Sequence, residues 1–231
     1  MSRRKVGGGR HDGGPLSRWE DAWDSAPDDD EYGDEYGDGD DWEGDAHERE
    51  NDWRRPAGIF VLGPVGGEAG EMIARIQRRY DPKLAAMNAP HVTLVGSSGV
   101  GPIRAGTSLD EMRAALEPVC RAFPPLPLRF GAPTRFMQTN IVSLPLDPNG
   151  PVRELYERIR GSGLSFGSAR FAFTPHVTLS YFPTLDRGTE RALLSERVEV
   201  PALLERMELS LTNDPLPPRK LASLPLMGAQ G

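Results

Sequence analysis

The sequence predicts an α+β domain that follows an acidic segment of different composition. Charge is the first observation: residues 1–55 hold 18 acidic and 8 basic side chains, whereas residues 56–231 hold 16 and 19. From Pro56 onward, short strand-like runs alternate with amphipathic helical patterns in mixed order, which is typical of α+β folds with mainly antiparallel sheets. A pentapeptide that occurs twice further indicates two related halves.

The acidic leader, residues 1–55, is predicted to be disordered. Between Glu20 and Asp52 there are 17 acidic residues and one arginine. Such a segment repels itself and buries too little apolar surface to offset its chain entropy. Two roles remain open for the leader: a solubilising tail without a partner, or a tether that docks on a basic partner or on the protein's own basic surface.

Several classes of protein are excluded by composition. The longest nearly apolar stretch, residues 57–67, is far shorter than the roughly 20 residues that span a bilayer. The basic stretch at residues 2–5, Ser-Arg-Arg-Lys, is followed by glycines and then acids, so it does not form a secretory signal. The single cysteine, Cys120, excludes a disulfide framework and a paired-cysteine metal or redox site. We expect a soluble, cytoplasmic monomer that does not bind membranes.

The first elements follow from local patterns. Residues 58–63 form an apolar, β-branched run that predicts a strand, and residues 68–80 place Met72, Ile73 and Ile76 on one helical face. Residues 90–96 predict a second strand. Ser108 and Glu111 then form a capping box that opens a helix.

The remaining elements continue this alternation. Pro118 interrupts the capped helix and is expected to kink or shorten it, and Cys120 lies on its apolar stripe as a core residue. Strands are predicted at residues 126–130 and 140–146, a helix at 151–160, and strands at 173–182, 206–211 and 220–226.

The repeated pentapeptide is the most informative feature. Pro90-His-Val-Thr-Leu94 recurs as Pro175-His-Val-Thr-Leu179, 85 residues later. His91 and His176 are the only histidines after the leader, and both occupy the second position of the repeat. Because each copy lies in a predicted strand, the domain is interpreted as a duplication of two lobes.

Strand geometry predicts what each copy presents. Alternate side chains of a strand point to the same face, so His91 projects with Thr93, and His176 with Thr178. The intervening valines and leucines point to the opposite face and can be buried. If a pseudo-twofold axis relates the lobes, two imidazoles and two hydroxyls line one site across a cleft.

This set of side chains suits phosphate chemistry. Histidine titrates near neutrality, so one imidazole can accept a proton from water while the other donates one to a leaving oxygen. Threonine hydroxyls can donate hydrogen bonds to phosphate oxygens. No metal and no cofactor is required. Three alternative interpretations are weaker. The two histidines could be hydrogen-bonded core residues, or they could bind a metal, but the motifs supply no further ligands. Residues 163–167 have the spacing of a serine-hydrolase nucleophile elbow, but they follow a predicted helix and precede a strand, whereas the elbow requires the opposite order.

At these residues the sequence resembles the two-histidine (2H) phosphoesterase superfamily, in its 2′-5′ RNA ligase-like or RNA 2′,3′-cyclic phosphodiesterase branch. The resemblance covers about residues 57–228 and depends on the paired His-x-Thr motifs. It implies a bilobal, duplicated α+β fold with two mainly antiparallel sheets flanking a central cleft, and helices outside. It also implies that His91 and His176 are the acid–base pair, and that Thr93 and Thr178 bind the phosphate.

The sequence departs from the family at one point. Many bacterial RNA-processing members carry an arginine shortly after the second motif, whereas here Ser180-Tyr-Phe182 follows. A cation that neutralises phosphate must then come from elsewhere, and Arg135 and Arg104 are the candidates. By alternation Ser180 shares the face of His176 and is a further candidate for substrate binding.

The leading hypothesis is a metal-independent phosphodiesterase that opens a 2′,3′-cyclic phosphate on an RNA end or a nucleotide. Which histidine is the acid and which the base is left open. The alternatives are a 2′-5′ RNA ligase-type activity and a catalytically silent module that binds RNA or nucleotides.

Overall fold

The computed structural model describes residues 58–136, 139–169, 171–181, 185–213 and 216–228. The acidic leader lies outside these residues, so its disorder and its partner stay predictions. In chain order the elements are β1 (Gly58–Pro64), α1 (Gly67–Tyr80), α2 (Pro82–Met87), β2 (His91–Val95), α3 (Leu109–Ala122), β3 (Leu126–Leu128), β4 (Thr134–Arg135), β5 (Val142–Pro145), α4 (Pro151–Arg160), β6 (His176–Ser180), α5 (Arg187–Ser195), β7 (Ala202–Leu204), β8 (Arg206–Asn213) and β9 (Leu216–Pro225). The predicted α+β class is confirmed.

Local signals account for most of these elements. The Ser108 hydroxyl accepts the backbone N–H of Glu111 at 3.2 Å and caps α3 as expected. The expected shortening at Pro118 does not occur, because α3 continues through it to Ala122. Four short elements, α2, β4, α5 and β7, are not predicted by the sequence patterns. The strands among them have two or three residues, too few to display a period.

Seven strands form one antiparallel sheet, in the order β4-β5-β6-β2-β1-β8-β9, and β3 pairs with β7 in a small second sheet. The core lies against one face of the large sheet, where Val92, Leu94, Val177 and Leu179 are completely buried. The two expected halves are β2-β1-β8-β9 and β4-β5-β6. They differ from the expected arrangement in one respect: they are continuous rather than separate, because β2 and β6 pair at Val92 and Val177.

The duplication extends to the strand register. Pro64 of β1 lies opposite His91, and Pro145 of β5 lies opposite His176. In both pairs the register shifts just beyond the motif threonine, which marks the same β-bulge in each half. The residue after each of these prolines donates its N–H, at 2.9 Å, to the carbonyl of the proline that precedes the histidine. The halves therefore repeat one pattern of backbone hydrogen bonds.

The helices of the two halves are exchanged beneath the sheet. The helix that follows β1, α1, contacts β6 of the other half, and the helix that follows β5, α4, contacts β2. Each motif strand is thus supported by a helix from the opposite half. This exchange couples the positions of the two motifs.

Candidate active site

The two motifs have the same pattern of exposure. In both β2 and β6 the histidine and threonine are half-buried, and the valine and leucine between and after them are buried. The alternation predicted from strand geometry is therefore present through the threonine of each copy. Apolar anchors on one face fix the strand, which leaves the histidine and threonine side chains on the other.

The motifs meet at a local two-fold axis. Val92 lies opposite Val177, which holds the equivalent position in the second copy. One residue to either side, antiparallel pairing sets His91 beside Thr178 and Thr93 beside His176. The histidines then occupy diagonal positions, which are about 7–8 Å apart in such a pair. The structure thus brings the four side chains together on a single sheet face, which we call the histidine face.

Both imidazoles are oriented by backbone carbonyls. His91 Nδ1 lies 2.8 Å from the Ala89 carbonyl oxygen, and His176 Nδ1 lies 2.6 Å from that of Thr174. A carbonyl oxygen can only accept, so Nδ1 carries the hydrogen in each ring. In both histidines Nε2 is therefore the ring nitrogen that is left to accept or donate a proton.

The surroundings of His176 favour its neutral form. Burial lowers the pKa of His176 below the ordinary value of 6.5, and the hydrogen bond to the Thr174 carbonyl opposes this shift only in part. The ring of Phe136 packs edge-on against the imidazole, with 4.9 Å between ring centroids. At neutral pH His176 is then mainly an uncharged ring with a basic Nε2. The His91 hydrogen bond, in contrast, lies in an exposed position.

Ser180 does not lie on the histidine face. The register shift in the β5–β6 pair places Ser180 opposite Val142, whereas Thr178 lies opposite the next residue, Ser143. Ser180 therefore turns inward, is completely buried, and directs its hydroxyl to Asp81 Oδ2 at 3.5 Å. The prediction that Ser180 binds substrate rests on strict alternation, which the β-bulge interrupts.

Arg135 is also turned away from the histidine face. It lies opposite Val142, whose side chain belongs to the core. Its guanidinium donates to the Thr139 carbonyl at 2.7 Å, to Glu190 of α5 at 3.0 Å and to the Asn140 side chain at 3.1 Å. Arg135 thus ties a hairpin to a helix, and this placement does not support the predicted role in phosphate binding.

Two buried residues of the first half hold the bulge of the second. Gln77 of α1 donates from Nε2 to the Thr178 carbonyl at 2.8 Å, and Asp81 accepts the N–H of Tyr181 at 2.7 Å. Both side chains are only 3% exposed. The sequence offers no signal for this pair, because the contacts join residues about one hundred positions apart.

A cationic group lies on the histidine face beyond β1. Leu62 pairs with both Thr93 and Glu208, so Glu208 projects from the same face as the motif threonine. Its carboxylate accepts hydrogen bonds from Arg206 Nε at 3.0 Å and from Lys220 Nζ at 2.6 Å. Burial alone would raise the pKa of Glu208, but the hydrogen bonds and charges of Lys220 and Arg206 outweigh burial and lower it.

The described residues also bear on the cysteine, on metal ligands and on membrane-spanning helices. Cys120 is buried, and burial raises the pKa of its thiol to about 11, which agrees with its interpretation as a core residue. Among the residues that the structure describes, no group of three His, Cys, Asp or Glu side chains could hold a metal ion. None of the helices in this part of the chain is long and apolar enough to span a bilayer.

Two duplicated halves, each contributing one His-x-Thr strand to a common face, define the class of the protein as a two-histidine phosphoesterase fold. A family model described as the 2′-5′ RNA ligase superfamily matches residues 65–212, well over half of the sequence. The chain belongs to this superfamily, as the resemblance of its motifs implies.

Two relatives of known name match part of the chain. A protein of Geobacillus thermodenitrificans with the provisional name phosphoesterase is 33% identical over 105 residues, 45% of this chain and 57% of its own length. A similarly named protein of Geobacillus kaustophilus is 31% identical over 105 residues, which are again 45% of this chain and 57% of the relative's own length. The match thus spans little more than half the length of these relatives.

The fold is shared with LigT of Escherichia coli. Its apo structure has a TM-score of 0.50 and 15% identity, and covers 74% of this chain and 98% of LigT. The structure of LigT complexed with phosphate has a TM-score of 0.49 and 16% identity, and the match covers 75% of this chain and 99% of LigT.

Proposed function

We propose that the protein is a metal-independent phosphodiesterase that opens 2′,3′-cyclic phosphates at RNA ends or on nucleotides. The observation that carries the proposal is the local two-fold arrangement of two imidazoles and two hydroxyls around Val92 and Val177. Membership of the 2′-5′ RNA ligase superfamily supports it. A tetrahedral phosphate bound over the axis meets one histidine and one threonine from each half.

The difference in environment supports one assignment of the proton transfers. His176, uncharged and with a basic Nε2, removes a proton from water, whose oxygen attacks the phosphorus. His91, protonated on Nε2, donates a proton to the ribose oxygen as its bond to phosphorus breaks. The product is a phosphomonoester, and the two histidines exchange protonation states until solvent restores them. Thr93 and Thr178 hold the non-bridging oxygens in line with this displacement.

The test is turnover of a 2′,3′-cyclic mononucleotide by His91→Ala and His176→Ala variants. Each acid–base step contributes about 10²- to 10⁴-fold, so each variant should lose at least 100-fold in kcat. Serine replacement of Thr139, which lies in the hairpin loop after β4, serves as a control and should retain activity. Incubation with EDTA should leave the rate unchanged. Activity within tenfold of the wild type in both histidine variants would contradict the proposal.

The pH dependence separates the two roles. The rate constant kcat/KM should follow a bell-shaped profile, whose acidic limb reports deprotonation of the base and whose alkaline limb reports loss of the acid's proton. Replacing His176 should flatten the acidic limb, and replacing His91 the alkaline limb. The opposite pattern would reverse the assignment of the two histidines without removing the phosphodiesterase activity.

The family name favours a second candidate, a 2′-5′ RNA ligase-type activity on the same site. When a 5′-hydroxyl replaces water as the nucleophile, the same two proton transfers join it to the phosphorus of the cyclic end while one ribose oxygen leaves, so both histidines serve either reaction. Incubating two such oligonucleotides and resolving the products by length distinguishes ligation from hydrolysis. Binding without either product would identify a silent binding module.

A further inference from the structure

The cationic group beyond β1, consisting of Arg206, Glu208 and Lys220, is not used by the chemistry proposed above. We call it the β8–β9 patch. It lies on the histidine face, where the sequence lacks the arginine that many family members carry after the second motif. Neither Arg135 nor Ser180 supplies phosphate contacts there, because both turn away from this face. The patch therefore offers the cations that the motifs themselves lack.

The register places the patch within reach of a substrate on the motifs. Strands in a sheet lie about 4.8 Å apart, so β8 is about 10 Å from β2, with only β1 between them. Because Glu208 and Thr93 both pair with Leu62, the step from Glu208 to Arg206 parallels the step from Thr93 to His91. Arg206 therefore projects toward the end of the sheet that carries His91.

The hydrogen bonds within the patch leave a phosphate-binding surface. Arg206 donates to Glu208 through Nε alone, and the two terminal nitrogens of this guanidinium have no partner among the described residues. These nitrogens form a planar fork that matches two oxygens of a phosphate. The side chains of Arg206 and Lys220 are 43% and 55% exposed, so solvent and ligands reach both. With one carboxylate and two cations, the patch carries a net charge of +1.

We infer that the β8–β9 patch binds a second phosphate of the substrate, the internucleotide phosphate next to the cyclic end of an oligonucleotide. The inference rests on the proposed function, since it takes the reacting phosphate to lie over the two motifs. A mononucleotide has no phosphate at this distance. The patch then makes the enzyme prefer cyclic ends that belong to a chain.

The experiment compares an oligonucleotide that ends in a 2′,3′-cyclic phosphate with the corresponding cyclic mononucleotide. The double variant R206A/K220A should lower the ratio of their kcat/KM values at least tenfold. The salt dependence of kcat/KM for the oligonucleotide should also become shallower, by about 0.7 in the log–log slope for each phosphate that the variant no longer neutralises. The control is R219A, which removes an exposed charge next to Lys220 on the opposite face of β9 and should leave the ratio unchanged.

Failure of the patch and failure of the function give different results. If the wild type turns over both substrates and R206A/K220A shows the same ratio as R219A, the patch inference is overturned and the function stands. If the wild type turns over neither, the proposed function fails. Binding of a labelled oligonucleotide with a 3′-terminal phosphate, measured by fluorescence anisotropy, then decides the patch: weaker binding by R206A/K220A than by R219A supports it, and equal binding overturns it.

Discussion

Gln77 connects the stability of the fold to the geometry of the second motif. Its Nε2 donates to the Thr178 carbonyl at 2.8 Å, whereas its buried Oε1 has no partner among the described residues. Methionine has nearly the same length and no polar group. In Gln77→Met the Thr178 carbonyl loses a buried donor, which costs about 1–3 kcal/mol, while removal of the unpaired Oε1 returns a similar amount. We expect the free energy of unfolding to change by no more than about 1 kcal/mol.

Activity should respond more strongly than stability to this substitution. Without the hydrogen bond from Gln77, the bulge that carries Thr178 is free to shift, and a displacement of about 1 Å at a reacting group can cost about 100-fold in rate. The expected loss in kcat/KM is therefore between tenfold and 100-fold. The melting temperature should move by at most about 4 °C, as expected for a chain of this size.

A double-mutant cycle tests whether Gln77 acts through Thr178. Gln77→Met combined with Thr178→Val should lose less activity than the product of the two single losses, since both remove the same interaction with the phosphate. The matched cycle with Thr93→Val, the equivalent residue of the other motif, should be multiplicative. Two results would refute this reasoning: a fall in melting temperature beyond 10 °C, or multiplicative losses in both cycles.

Three further predictions concern pH and the residues that turn away from the site. The folded pKa of His176 lies below its unfolded value near 6.5, so the unfolded state binds a proton first and stability falls as the pH drops through that value. The urea midpoint should decrease from pH 7.5 to 5.5, and less so in His176→Gln. Arg135→Ala should leave KM unchanged and should lower the free energy of unfolding by at most about 1 kcal/mol, because the ion pair of Arg135 with Glu190 is exposed. An increase in KM would instead indicate that Arg135 binds substrate. Ser180→Ala should likewise leave KM unchanged, and thermal melting should show that the free energy of unfolding falls by no more than about 1.5 kcal/mol. An increase in KM would contradict the inward placement of Ser180.

The orientation of the motif side chains could be predicted from the sequence because it depends only on neighbouring residues of one strand. Alternation over five residues suffices to place His91 with Thr93 and to bury Val92, and the structure shows this pattern in both copies. The same rule gives the wrong face for Ser180, because a β-bulge depends on the pairing of β6 with β5 rather than on the sequence of β6 alone.

The supporting residues depend on contacts that no local pattern reveals. In the sequence, Gln77 is only one polar position of an amphipathic helix. Its contact with Thr178 depends on the packing of α1 against β6, which the structure shows. Arg206 and Lys220 are ordinary strand residues until the order of the sheet places β8 and β9 beside β1 on the histidine face. Arg135 likewise depends on which face of β4 meets the core.

The pairing of Val92 with its own counterpart bears on how such a molecule can be assembled. A separate half would expose its motif strand as an open edge with unsatisfied backbone groups, and two identical halves would satisfy one another about the same valine. Half-length chains would therefore build the histidine face only as a homodimer, at a rate that depends on their concentration. Fusion in tandem replaces that dependence by a fixed effective concentration, and it frees each copy to diverge.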